Sequence, residues 1–271
     1  MIIKESLLFL NTAFEDCGVA RTLYDAKFYS QSIYSLIQAV EKTCKYYAIR
    51  NQLLSPDELK SKIGHNSISL FKKLIVKHLQ ELDNQCQKSE NKNLVLFNEQ
   101  LKIDFTVFEK LKPKDLINIT KTELAQFVQY LDSLDNDDKV SSPSDFVFDN
   151  PQTLFFFETP ESLIQSLIEF GIVQESAIKN LKVEDLQNLK SGLIKMLKLV
   201  PKYQKTTTKL ILLTTLFSKN INETRYPDIQ SLKIPSDIFN ENHALVGYIP
   251  PITNHISSVI DTFLMFNNIK I

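Results

Sequence analysis

Tyr29, Ile33, Leu36, Ile37, Val40, Cys44 and Tyr47 recur at intervals of three and four residues. That spacing lines one side of an α-helix. Lys27, Gln31, Gln38, Lys42 and Lys45 take the other side, so 27–50 is expected to be an amphipathic helix with one buried face. Glu41 precedes Lys45 by one helical turn, the orientation that favours an ion pair. A helix with a single apolar face must cover it with other elements. The chain supplies partners of the same pattern. One runs over roughly 4–24, and a second over 66–84 carries Ile68, Phe71, Leu74, Ile75 and Leu82 on one face. A third, 202–222, aligns Tyr203, Thr207, Leu210, Thr214, Phe217 and Ile221; a fourth, 252–266, aligns Ile252, Ile256, Val259, Ile260 and Phe263. The expectation is an all-α chain in which these segments share one core.

Between them the texture changes. The polar run 85–93 breaks the pattern, and 95–200 follows with helices of its own. Thr120 and Glu123 form a capping box at the head of one. Thr159, Pro160 and Gly171 mark the start and stop of another, and Pro201 ends a third. Residues 133–145 read as an acidic, turn-rich loop. The division expected is a bundle of 1–88 plus 202–271, with 89–201 as a helical insertion. Within the bundle, 222–251 is a long loop with four prolines, a length that usually carries function.

Composition narrows the function classes. Thirty-one basic residues balance 32 acidic ones, so the chain lacks the charge for a broad, non-specific grip on a phosphate backbone. Five glycines serve the whole chain, and neither of the common glycine-rich phosphate loops occurs. Cys17, Cys44 and Cys86 are widely spaced, which suggests buried thiols rather than disulfides or zinc. His78 falls at the edge of an apolar stripe, and His243 and His255 have no carboxylate or thiol at ligand spacing; no metal or cofactor is expected. The opening MIIKESLLFLNTAFEDC mixes acids into a short apolar run, unlike a signal peptide, and no stretch is long enough to span a membrane. A cytoplasmic location is the expectation.

The run from Val19 to Leu54 resembles the first half of a HEPN domain, through Ala20, Leu23, Phe28, Ser32, Tyr34, Gln38, Ala39, Glu41, Lys42 and Lys45, with His65 opening the next helix. Downstream, Arg225, Tyr226, Pro227 and Asp228 are similar to a segment that many HEPN proteins carry between their third and fourth helices. The resemblance covers roughly 1–88 and 202–271. It implies an up-and-down four-helix bundle, often dimeric, with the insertion between helices two and three. It also implies a place in prokaryotic defence or stress: abortive infection (the AbiV-like type), phage defence or toxin–antitoxin pairs. Partners implied are a second copy, a nucleotidyltransferase, or RNA or a nucleotide.

Many HEPN proteins are ribonucleases with an arginine followed four to six residues later by a histidine. That spacing is missing here. Arg50 and Asn51 begin it, but position 55 is Ser55, and the next histidine is His65; Arg225 has its next histidine at His243. The reading is therefore a non-catalytic HEPN-type protein that binds a nucleotide, RNA or a protein. One alternative is a divergent, metal-independent endoribonuclease that brings His65 and Arg225 together. Another is a structural helical module for protein interaction.

No catalytic residue is assigned. The candidate ligand site is Arg225, Tyr226, Asp228 and His65. The chain has three arginines, Arg21, Arg50 and Arg225, and each is a permanently charged planar fork suited to phosphate or carboxylate. Tyr226 offers a stacking face, and a helix starting near His65 would point free N–H groups outward. The plainer reading is a locked turn: proline fixes φ, Asp228 bonds the backbone, and Arg225 pairs with an internal acid.

Overall fold

The computed structural model describes residues 2–55, 57–59, 67–87, 112, 114–136, 202–219, 222–227 and 232–268. Those residues are mostly helical and contain no strand. The helices are α1 (Ile2–Asp25), α2 (Tyr29–Arg50), α3 (Ser67–Gln87), α4 (Lys121–Asn136), α5 (residues 202–217) and α6 (Ile249–Asn268). None of them is long and apolar enough to cross a membrane. The chain divides into two compact units, residues 1–82, 104–134 and 206–270 in one and 83–103 with 135–205 in the other. The description that follows is of the first.

α1 and α2 form an antiparallel hairpin joined by Ala26, Lys27 and Phe28. The periodic pattern begins at Lys27, but the helix begins at Tyr29, because Lys27 is left-handed with φ 64°. Around it Phe28 N–H donates to Leu23 O and Lys27 N–H to Tyr24 O. This is the paired hydrogen bonding that closes a helix C-terminus. The end of α2 repeats the device: Gln52 has φ 56°, Leu53 N–H donates to Ala48 O and Gln52 N–H to Ile49 O. Glycine is the usual residue at such a position. Its absence from both turns hides them from the sequence.

α2 is buried on more than its apolar stripe, since Ser30, Ser32, Ser35 and Thr43 are buried with it. Their hydroxyls have local partners. Ser32 donates across the hairpin to Ala20 O at 2.7 Å, while Thr43 and Ser35 donate to Ala39 O and Gln31 O within the helix. The expected Glu41–Lys45 pair is present at 2.6 Å, and Lys42 reaches Asp16 on α1 at the same distance. α2 also meets α6 and α3. The ring of Phe263 lies 5.4 Å from Tyr46 and 6.1 Å from Tyr47, and Tyr47 meets the His78 ring of α3 edge-on at 6.1 Å. Ile68, Phe71 and Ile75 of α3 are buried as the pattern expects. Cys17 and Cys44 are buried free thiols. Burial raises Cys17 to about 11 and Cys44 well above its ordinary value.

α5 departs from the one-faced expectation. Every residue from 206 to 217 is buried, the threonines and Lys209 included. Thr214 and Thr215 both donate to Ile211 O, at 2.6 and 2.9 Å, so these hydroxyls need nothing from outside the helix. A helix so equipped can be covered all round. It ends at Phe217, short of the expected 222.

The segment 222–251 is not a bare loop. It contains 3₁₀ turns at Asn222–Thr224 and Ala244–Tyr248 and one helical turn at Pro235–Ile238. Phe239, Leu245 and Val246 anchor it in the interior. Both Asn222–Thr224 and Pro235–Ile238 pack on α2.

Residues 114–136 differ from the sequence division. They lie within 89–201, yet as far as Leu134 they belong to the same compact unit as 1–82 and 206–270. Polar clamps hold them there. His243 donates from Nε2 to Ile117 O at 3.1 Å, Tyr248 donates to Lys121 O, His255 Nε2 meets Asp132 Oδ1 at 3.1 Å, and Lys219 meets Asp115 at 3.0 Å. The buried Leu116, Ile119, Leu124 and Leu131 give the segment its apolar face. The Thr120–Glu123 capping box is formed as read: Glu123 N–H donates to the Thr120 hydroxyl at 3.2 Å and Thr120 N–H to Glu123 Oε2 at 3.0 Å. α4 runs on to Asn136, so the first part of the expected loop 133–145 is helical; 137–145 lies outside the described residues.

Two outcomes follow. Gln52→Gly is expected to stabilise the protein by about 0.5–1 kcal/mol in urea unfolding, since it relieves a left-handed side chain on an exposed turn. The Thr120 backbone and hydroxyl bonds, with Lys114 beside them, hold the Glu123 carboxyl at about 2. A depressed carboxyl stabilises the fold above its unfolded value and stops doing so as pH falls through its folded one. Glu123→Gln should therefore be destabilising at pH 7, and the gap to wild type should close as pH falls from about 4.5 to about 2.

Candidate functional site

The turn that carries Arg225 is closed by its own backbone. Arg225 N–H and Tyr226 N–H both donate to Asn222 O, at 2.9 and 2.8 Å, and Thr224 is buried beneath them. This leaves Arg225, Tyr226 and Pro227 exposed. The guanidinium carbon of Arg225 sits 4.8 Å from the ring centroid of Tyr34 on α2 and 5.0 Å from that of Tyr226. Both distances are within cation–π range. Tyr34 is half-buried, so the helix holds its ring still, while Tyr226 is 53% exposed.

Among the described residues, Arg225 has no carboxylate within ion-pair distance. The locked-turn reading expects an acidic partner; the described residues supply none, and Asp228 lies outside them. Backbone bonds and aromatic rings hold the turn. No described carboxylate meets the charged rim of the guanidinium, whose planar set of N–H donors suits an oxyanion.

The other arginines are placed differently. Arg21 donates from Nη2 to Asn254 Oδ1 at 3.3 Å and to Ser257 Oγ at 3.2 Å, tying α1 to α6. Arg50 ends α2 beside the Tyr46 hydroxyl. That hydroxyl also accepts from Asn267 Nδ2, and burial raises its pKa, with the two hydrogen-bond partners acting against the rise.

Of the four candidate residues, the structure brings Arg225 and Tyr226 together; His65 and Asp228 lie outside the described residues. Tyr34 is the site residue that sequence reasoning assigned only as a position of the family pattern. Its place on the polar side of an amphipathic helix was the available signal: an aromatic there has no core to fill.

The remaining histidines have structural roles. His243 accepts from Leu245 N–H at Nδ1, which puts its proton on Nε2, the atom that donates to Ile117 O. Its ring also meets Phe239 at 5.0 Å. His255 is paired with Asp132. No cluster able to hold a metal occurs among the described residues. No protein-family model, curated protein or solved structure matches the chain.

Burial lowers the pKa of His78, opposed by the nearby Glu81. Its neutral form is the one the fold accepts, so its contribution is complete above the ordinary value of 6.5 and fades as pH falls below it. His78→Gln is expected to flatten the loss of stability between pH 7 and pH 5, measured by urea unfolding at each pH.

Proposed function

We propose that this chain is a HEPN-type, non-catalytic binding protein whose ligand is the anionic group of a nucleotide or RNA, held at Arg225. The observation that carries the reading is a guanidinium fixed by two tyrosine rings, exposed, and without a carboxylate partner among the described residues. An arginine that serves only to lock a turn has no need of an open, charged rim; one that waits for an oxyanion does. The non-catalytic part rests on the sequence, where no arginine is followed by a histidine at the spacing of the family's ribonucleases. The resemblance alone supplies the setting, a homodimer in a prokaryotic defence or stress system; the cytoplasmic location is the expectation from the sequence.

The test pairs a binding assay with a cleavage assay. Wild-type protein should bind phosphate-bearing ligands by isothermal titration and leave generic RNA intact without metal. Arg225→Ala should abolish the binding. The variant loses only surface-exposed cation–π contacts, so its stability should fall by no more than about 1 kcal/mol. A large loss of stability with binding unchanged would return Arg225 to a purely structural role. Metal-free RNA cleavage that disappears in His65→Ala would replace the reading with a ribonuclease.

A further inference from the structure

The aromatic contacts of Arg225 constrain how an anion can be recognised. All five N–H donors of a guanidinium lie in its plane, so its π surface makes stacking contacts and its rim makes hydrogen bonds. Here the guanidinium carbon lies over the rings of Tyr34 and Tyr226, 4.8 and 5.0 Å from their centroids, so two aromatic rings already take the cation's π contacts, for which a base would have to compete. The two rings are not equivalent. Tyr226 is the sequence neighbour of Arg225 and moves with the same turn, whereas Tyr34 belongs to α2, a helix buried over much of its surface. Tyr34 is therefore the contact that fixes the arginine relative to the bundle.

We propose that Tyr34 is the positioning residue of an edge-on oxyanion fork at Arg225, which takes a phosphate group through its oxygens and makes no stacking contact with the rest of the ligand. This rests on the anion-binding reading above and adds a specificity to it. A phosphate presents two oxygens to the rim in the bidentate manner that suits arginine and that a lysine cannot reproduce. The phosphate could belong to a small ester or to a nucleic-acid strand. The recognised chemistry is the same, and the site does not read the base.

The experiment uses the full chain and isothermal titration with four probes: inorganic phosphate, adenosine monophosphate, adenosine and a short oligoadenylate. Phosphate and the monophosphate should bind within about threefold of each other, and adenosine should not bind. Tighter binding of the oligoadenylate, lost with salt and in Arg225→Ala, would identify a strand as the source; equal binding of oligoadenylate and monophosphate would identify a small ester. Tyr34→Phe keeps the ring and should bind phosphate as wild type does. Tyr34→Leu should weaken phosphate about fivefold, and Arg225→Lys about tenfold although it keeps the charge. Melting curves on each variant, with Tyr34→Phe as the conservative control, separate positioning from stability. If Tyr34→Leu binds phosphate as tightly as wild type while Arg225→Ala does not bind, the positioning role is wrong and the anion site stands. A monophosphate bound more than about tenfold tighter than phosphate overturns the edge-on reading. A wild-type chain that binds no phosphate overturns the anion site and this inference together.

Discussion

The covering of α2 is the constraint on which the rest of the bundle depends. A helix buried beyond its apolar stripe must either shed its polar residues or satisfy them locally, because an unpartnered hydroxyl in the interior costs about 1–3 kcal/mol. α2 satisfies them. Ser32 bonds the backbone of α1, while Ser35 and Thr43 bond their own helix, so the polar positions become contact surface. The same solution recurs on α5 with Thr214 and Thr215. With that surface available, α1 lies along α2, α6 sets Phe263 against Tyr46 and Tyr47, and the turns at Asn222–Thr224 and Pro235–Ile238 rest on α2 as well.

This explains how an exposed arginine is held with so few charged groups around it. An exposed arginine is a mobile side chain, and holding it still costs conformational entropy. Here the turn's backbone is closed on Asn222 O, and the guanidinium is laid against a ring that the buried helix immobilises. Rigidity passes from the core to the charged group through a single aromatic contact. A carboxylate in that position, of which the described residues supply none, would add the same rigidity and cancel the charge.

The helices were legible in the sequence because apolar periodicity is a local property. The 27–50 pattern marks α2 to within two residues at its start, and the capping box at Thr120 appears in the fold bond for bond. Where reading failed, the cause was non-local or lacked its usual residue. Left-handed Lys27 and Gln52 do the work of glycines that are not there. The burial of α5 on every side does not show in a pattern that marks one face. The attachment of 114–136 relies on His243, Tyr248 and His255, residues more than 100 positions away. At the site, Arg225 and Tyr226 could be singled out because arginine is rare in the chain. Tyr34 could not be joined to them, because nothing in a linear sequence pairs position 34 with position 225.

That separation has a consequence for how the protein is made. The α1–α2 hairpin has only a three-residue connection and leaves the ribosome early, able to pair at once. The surface of Tyr46 and Tyr47 that receives Phe263 emerges with it, and the covering helix α6 is translated about 200 residues later. At about 5–20 residues per second, this aromatic surface stays bare for on the order of ten seconds or more. During that interval the nascent chain offers an apolar strip to any neighbour on the same polysome. The exposed arginine turn cannot dock on Tyr34 until most of that wait is over, so the Arg225–Tyr34 contact is one of the late ones to form during synthesis.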